Sequence, residues 1–290
     1  MTNPAHEQAW RPSQLELGRQ AFRARQTTKS VIIAAVSTVV FAFVVWLTII
    51  NTPGWSRVQQ TFFDPTTAIE SLPRVWAGFL LNLQVLVFAV IAVAILASGI
   101  AFLRTLRGPI WFPVRMLAAG YTDLFRGLPL IIVLYLVGFG IPGLQGPTGQ
   151  RIPAVLLGTA AVVLVYSAYV SEVIRAGIDA VHPSQRLAAR SLGLSHASTM
   201  RLVVLPQAIR KVSPALMNDF VAMQKDVGLI SIVGIVDAVR AAQIETATSF
   251  NYTPYVVAGV LFVLLALPMI RLTDWMSARM RRREQVGGIV

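Results

Sequence analysis

The 290-residue sequence contains no cysteine. Disulfides, iron–sulfur clusters and thiolate-held metals are therefore excluded, and cysteine usage leaves the redox compartment open. Charge is scarce as well, Asp, Glu, Lys and Arg together making 13% of the residues. Histidine is limited to His6, His182 and His196, which form no H-E-x-x-H zinc site, and no G-x-S-x-G nucleophile turn occurs. None of the three lysines, Lys29, Lys211 and Lys225, follows a glycine, so the G-x4-G-K-S/T phosphate loop is missing. These absences leave no catalytic residue and no metal ligand set to propose, and they remove ATP binding by the phosphate-loop route.

What is there is apolar. Hydrophobic residues make 55% of the chain and mean hydropathy is positive, which places the sequence among all-α integral membrane proteins rather than soluble ones. Residues 31–50 are free of charge and long enough to cross a hydrocarbon core of about 30 Å, and no signal-peptide cleavage site follows them. Further spans are expected at about 75–103, 116–141, 154–176 and 255–272. Residues 212–236 are apolar but interrupted by Asp219, Lys225, Asp226, Gly228 and Gly234, as in a discontinuous helix. The expected organisation is a mobile cytoplasmic tail over 1–30, a transmembrane helix over 31–50 and an extracytoplasmic loop over 51–75. A core over 76–275 and a basic tail over 276–290 follow.

Six crossings put both termini on one side, and the basic residues choose it. Five Lys/Arg fall in 1–30, three in 104–115, six in 175–211 and five in 271–290, whereas the opposite side has only Arg57, Arg74, Arg151 and Arg240. The positive-inside rule makes the richer side cytoplasmic. The net charge of +12 thus describes topology, and no nucleic-acid partner is expected.

A polar and basic interruption between two apolar regions runs over 182–206, HPSQRLAARSLGLSHASTMRLVVLP. Pro183 suits a first helical turn, Gly193 a helix stop, and Ser195 the cap of a second short helix that Pro206 closes or passes on. Arg186 and Arg190, four apart, give the first helix a basic face; Ala188 and Leu192 lie roughly opposite. A helix resting on anionic membrane lipid is one outcome of that pattern.

Ala188-Ala189, three residues, Gly193, nine residues and then Val203-Val204-Leu205-Pro206 is similar to the EAA loop, EAA-x3-G-x9-I-x-L-P, of permease subunits of ABC importers. Leu187 stands where that family usually has glutamate. Residues 168–178, Phe125-Arg126-Gly127-Leu128-Pro129-Leu130 and Lys225-Asp226-Val227-Gly228-Leu229-Ile230-Ser231 resemble segments of the polar amino-acid branch. The likeness spans roughly 76–275 and implies a five-helix core with an extra N-terminal helix. It also implies a prokaryotic inner membrane, a polar amino acid as cargo, an extracytoplasmic binding protein, a second permease subunit and a separate ATPase dimer carrying ATP and Mg. Pro183, Arg186, Leu187, Ala188, Ala189, Arg190, Gly193, Leu205 and Pro206 would then form the coupling loop, with the two arginines facing the ATPase.

Charges at membrane depth cost about 2.5–3.5 kcal/mol each on insertion scales and usually face a cavity or a partner. Asp123, Arg126, Lys225 and Asp226 qualify, with Glu172 at a helix end. An amino-acid zwitterion needs a cation and an anion, which Arg126 or Lys225 with Asp226 or Glu172 would supply. Internal ion pairs, including Glu172 with Arg175 one turn on, are the competing account. A self-sufficient secondary transporter or channel is the alternative function, and the inverted repeat that would favour it is not evident.

Overall fold

The computed structural model describes residues 13–106, 108–145 and 152–287. Residues 1–12 of the tail, Arg107, the 146–151 part of the loop before the fourth span, with Arg151, and residues 288–290 lie outside the described residues. The chain falls into two compact units, residues 1–59 and 60–290.

The first unit is dominated by α1, Gln14–Ile50, capped by the Ser13 side chain, which accepts from the Glu16 N–H. Residues 14–30 were expected as a mobile tail; they are helical, because their Gln, Leu, Glu and Arg are good helix formers that extend a helix already nucleated by the apolar run. The side chains of the apolar half are exposed, Phe41 at 72%, as a helix facing hydrocarbon requires.

The expected loop over 51–75 is largely helical too. Trp55–Phe62 forms α2, and α3, Pro65–Thr105, starts at Pro65 with the Asp64 side chain accepting from Thr66 N–H. At about 1.5 Å per residue α3 is roughly twice as long as the hydrocarbon core is thick, so it projects beyond the membrane. The expected third span is broken. Helix α4, Phe112–Gly127, and α5, Leu130–Tyr135, meet at Leu128-Pro129, and the two halves are bent by 106°. Proline disfavours the α region at the residue before it, so Leu128 is extended and the apolar run turns there. A short wide-turn segment, Leu136–Gly140, and α6, Ile141–Gln145, complete it.

Helix α7, Ala154–Asp179, matches the expected span. Helix α8, Pro183–Ser191, and α9, His196–Thr199, follow. The second loop helix is not closed by Pro206, because a wide turn at Met200–Val204 fuses it to α10, Leu205–Asp226. A tight helical segment, Val227–Val233, and Gly234 at φ 86° end that span. Helix α11, Ala238–Ser249, was not anticipated, although Asp237 accepting from the Arg240 N–H is an ordinary N-cap. Helix α12, Thr253–Gly287, carries the last span and most of the expected tail in one helix.

Four long helices thus qualify as spans, or six if each bent pair counts as one, an all-helical membrane body with no strand among the described residues. Its core joins Val85, Ala89 and Val93 of α3, Leu134 of α5, Val162 and Val165 of α7, and Val227 and Ile230 after α10. Gly78 lets α3 touch the backbone at Asp237–Ala238, where any Cβ would strike the Asp237 carbonyl.

Candidate functional site

The loop from α7 to α10 is built as its sequence suggests. Pro183 occupies the first turn of α8, whose cap is the His182 ring accepting from Ser184 N–H. Gly193 sits at φ 83°, and the Leu194 N–H reaches back to the Ala189 carbonyl at 3.2 Å, the Schellman closure that a left-handed residue permits. Ser195 accepts from Ser198 N–H and starts α9.

The faces of α8 are distributed differently from the simple charge pattern. Ala189 is buried, while Ala188, Leu187 and Arg190 are exposed, Leu187 at 67%; Leu192 beyond the helix reaches 84%. Arg186 turns back into the protein and donates to the Ile178 carbonyl at the end of α7. Lys211 of α10 donates to the neighbouring Ala180 carbonyl at 2.7 Å. Both cations thus satisfy carbonyls that a helix C-terminus leaves open and complement its negative dipole end. Arg190 closes onto Leu194 within the loop, at 3.0 Å. Leu205 and Pro206 begin α10.

The charged residues at membrane depth are not gathered into one place. Glu172 of α7 pairs with Arg175 on its own helix and with Arg104 of α3 at 2.5 Å; Arg104 also donates to buried Thr122 of α4. Arg175 reaches on to Asp179 at 2.7 Å. Asp226 accepts from the Tyr166 hydroxyl at 2.7 Å. Arg126 is exposed beside the Tyr169 ring at 6.0 Å, and Asp123 and Lys225 are exposed.

Two acidic groups carry more structural weight than their sequence positions suggest. Asp219 lines a cavity of about 540 Å³ between α3, α7 and α10, whose walls are chiefly apolar (Val93, Phe102, Val170, Leu216) and also include Tyr166. One Asp219 carboxylate oxygen is buried with no hydrogen-bond partner among the described residues. Asp237 is fully buried; Asn82 of α3 donates to it at 3.0 Å and to the Val227 carbonyl at 3.2 Å, while accepting from Ala238 N–H. The sequence signal for both was an acid inside or beside an apolar run.

Residues 111–282 match the family model described as binding-protein-dependent transport system inner membrane component. The chain is 33% identical over 207 residues to the arginine transport system permease protein ArtQ of Bacillus subtilis, covering 70% of this chain and 91% of that protein. It is 37% identical over 211 residues to the probable amino-acid ABC transporter permease protein y4tG of Sinorhizobium fredii, covering 71% and 88%. Among solved structures, an amino acid ABC transporter with histidines superposes with a TM-score of 0.67 at 33% identity, covering 74% of this chain and 98% of that one. The methionine transporter MetNI, at 16% identity and a TM-score of 0.54, shares the fold.

Proposed function

The chain belongs to the family of binding-protein-dependent transport system inner membrane components, and from that premise we infer how this permease subunit of an amino-acid ABC importer is coupled and where its cargo passes. It is a multi-pass membrane subunit that is not itself catalytic. ATP and Mg are bound and used by a separate ATPase dimer, an extracytoplasmic binding protein delivers the cargo, and a second permease subunit completes the path. Family membership sets aside a self-sufficient secondary transporter. The loop lies in the cytoplasm, and six crossings put both termini on its side.

The observation that carries the coupling proposal is the exposed edge of α8. Leu187, Arg190 and Leu192 are presented outward while Arg186 is held inward, so the ATPase is met by apolar packing around one arginine. The leucine at 187 therefore supplies contact area where the family's usual glutamate would supply charge. Pro183, Ala188, Ala189, Gly193, Leu205 and Pro206 fix the shape of that edge. Closure of the ATPase dimer would move α8, and α7 and α10 with it, between two membrane states.

Cargo passes by the cavity between α3, α7 and α10, where the unpartnered Asp219 oxygen offers the anion that an α-ammonium or side-chain cation needs. Asp226 flanks it through Tyr166, and the exposed Arg126 and Lys225 are the cations available to a carboxylate. Glu172 holds α3 to α7 through its arginines.

The complex reconstituted in vesicles tests both statements. Leu187→Asp combined with Arg190→Glu should lower ATPase pull-down and transport about tenfold or more, the equivalent of roughly 1.4 kcal/mol. Asp219→Asn should lower transport and leave pull-down intact. Wild-type pull-down and transport in the double variant would rule out α8 as the coupling element; unchanged transport in Asp219→Asn would move the cargo elsewhere.

A further inference from the structure

Beside the coupling loop, away from its exposed edge, lies a cavity of about 310 Å³ whose lining includes Arg104, Arg115, Arg175, Arg186 and His196, with Asp179 as its carboxylate. The ends of α3 and α7, the start of α4 and the loop helices α8 and α9 all contribute to it. Two of its arginines have their charge met by Glu172 and Asp179. Among the described residues no carboxylate meets the other two. Arg115 donates only to the Leu106 carbonyl at 2.8 Å and the Gly108 carbonyl at 3.3 Å, and Arg186 to the Ile178 carbonyl. Carbonyls accept hydrogen bonds but do not neutralise a guanidinium. The Arg186 Nε, moreover, is buried with no hydrogen-bond partner among the described residues, an arrangement that costs free energy unless something completes it.

We propose that this cavity binds a phosphate-bearing anion, and that its source is the headgroup of an anionic phospholipid of the cytoplasmic leaflet. Guanidinium groups match phosphate oxygens with two parallel donors, and the cavity has two whose charge no carboxylate meets. The bilayer is favoured as the source because the cavity lies where the apolar spans α3 and α7 end, and because Phe102, Ile110, Trp111 and Phe112 beside it are exposed, Ile110 at 81%. Those side chains suit the boundary where a headgroup meets its acyl chains. A bound headgroup would tie α4, through Arg115, to α8, through Arg186, so the coupling loop would be held to the membrane surface by lipid charge. The lipid source rests on the cytoplasmic placement inferred above; the anion site itself does not.

Thermal unfolding of the purified full chain in detergent, titrated separately with phosphatidylglycerol, phosphatidylcholine and inorganic phosphate, tests the site. Phosphatidylglycerol should raise the midpoint of the wild-type chain, and phosphatidylcholine should not. Arg115→Gln and Arg186→Gln should each require about tenfold more phosphatidylglycerol for the same rise, Arg115→Lys less, and Arg74→Gln and Arg240→Gln, which are not part of the cavity lining, no more than wild type. If Arg186→Gln fails to fold, Arg115→Gln decides alone, since its guanidinium touches loop carbonyls only. A rise with inorganic phosphate that the same two variants lose keeps the site and makes its ligand soluble. Equal rises with both lipids, or variants that respond as wild type does, overturn the proposal. So does a loss of ATPase pull-down in Arg115→Gln without any change in lipid response, which would give the cavity to an acidic side chain of the partner.

Discussion

The Asp237 node and the Glu172 cluster both join α3 to later helices through a carboxylate, and they do it by opposite means. At Asp237, fully buried, the carboxylate meets no cation among the described residues: it accepts from Asn82 and from the Arg240 N–H in the first turn of α11. At Glu172, near the C-terminal end of α7 and partly exposed, two arginines meet one carboxylate and a second acidic group, Asp179, continues the chain of pairs. Where water is absent, bringing a second charge inward would add a desolvation cost, so amide and backbone donors are the cheaper partners. Where water is near, arginines keep part of their hydration and can also serve the loop that follows.

The largest effect that would break this contrast is expected at the buried node. Asp237→Ala removes the cap of α11 and strands both Asn82 and the N–H groups it served, a loss of roughly 2–4 kcal/mol. Gly78→Val forces a side chain into the same backbone and should be at least as damaging. Thermal unfolding in detergent measures both; a melting midpoint within error of wild type in Asp237→Ala would mean that the node is not holding α3 to α11. Glu172→Gln should have a smaller effect, about 1–2 kcal/mol, because Arg104 and Arg175 retain a hydrogen-bond acceptor and solvent while losing charge compensation. A loss in Glu172→Gln that exceeds the Asp237→Ala loss would reverse the ranking of the two regions. The smallest effect belongs to the exposed pair Arg74–Glu245, where Arg74→Gln should change stability by less than about 1 kcal/mol. A larger change there would show that surface pairing contributes more in this chain than its exposure allows.

The turns and caps of the 182–206 loop were legible in the sequence. Pro183, Gly193 and Ser195 act through neighbours within five positions, and the structure places each as a first-turn proline, a left-handed stop and a cap. The direction of Arg186 was not legible. Spacing put it on one face with Arg190, but it is held inward by donating to the Ile178 carbonyl, eight residues earlier. The break at Leu128-Pro129 was present in the sequence as a proline, but the apolar stretch after it let 116–141 read as one span. Helix α11 lies in the stretch left unassigned between the expected spans at 212–236 and 255–272, although Asp237 marks its start.

By itself the sequence determined what depends on local chemistry and on total apolar length: the stretches apolar enough to cross a membrane, and the stops and caps of the loop. Only the tertiary structure decided which charges face each other. Asp219 is left open to a cavity, Asp226 meets Tyr166 sixty positions away in the chain, and Glu172 meets Arg104 across sixty-eight. The physical reason is that hydropathy and capping act within a turn or two of helix, whereas the partner of a buried charge is chosen by which helices pack together, and that choice is made by van der Waals fit along whole helix faces.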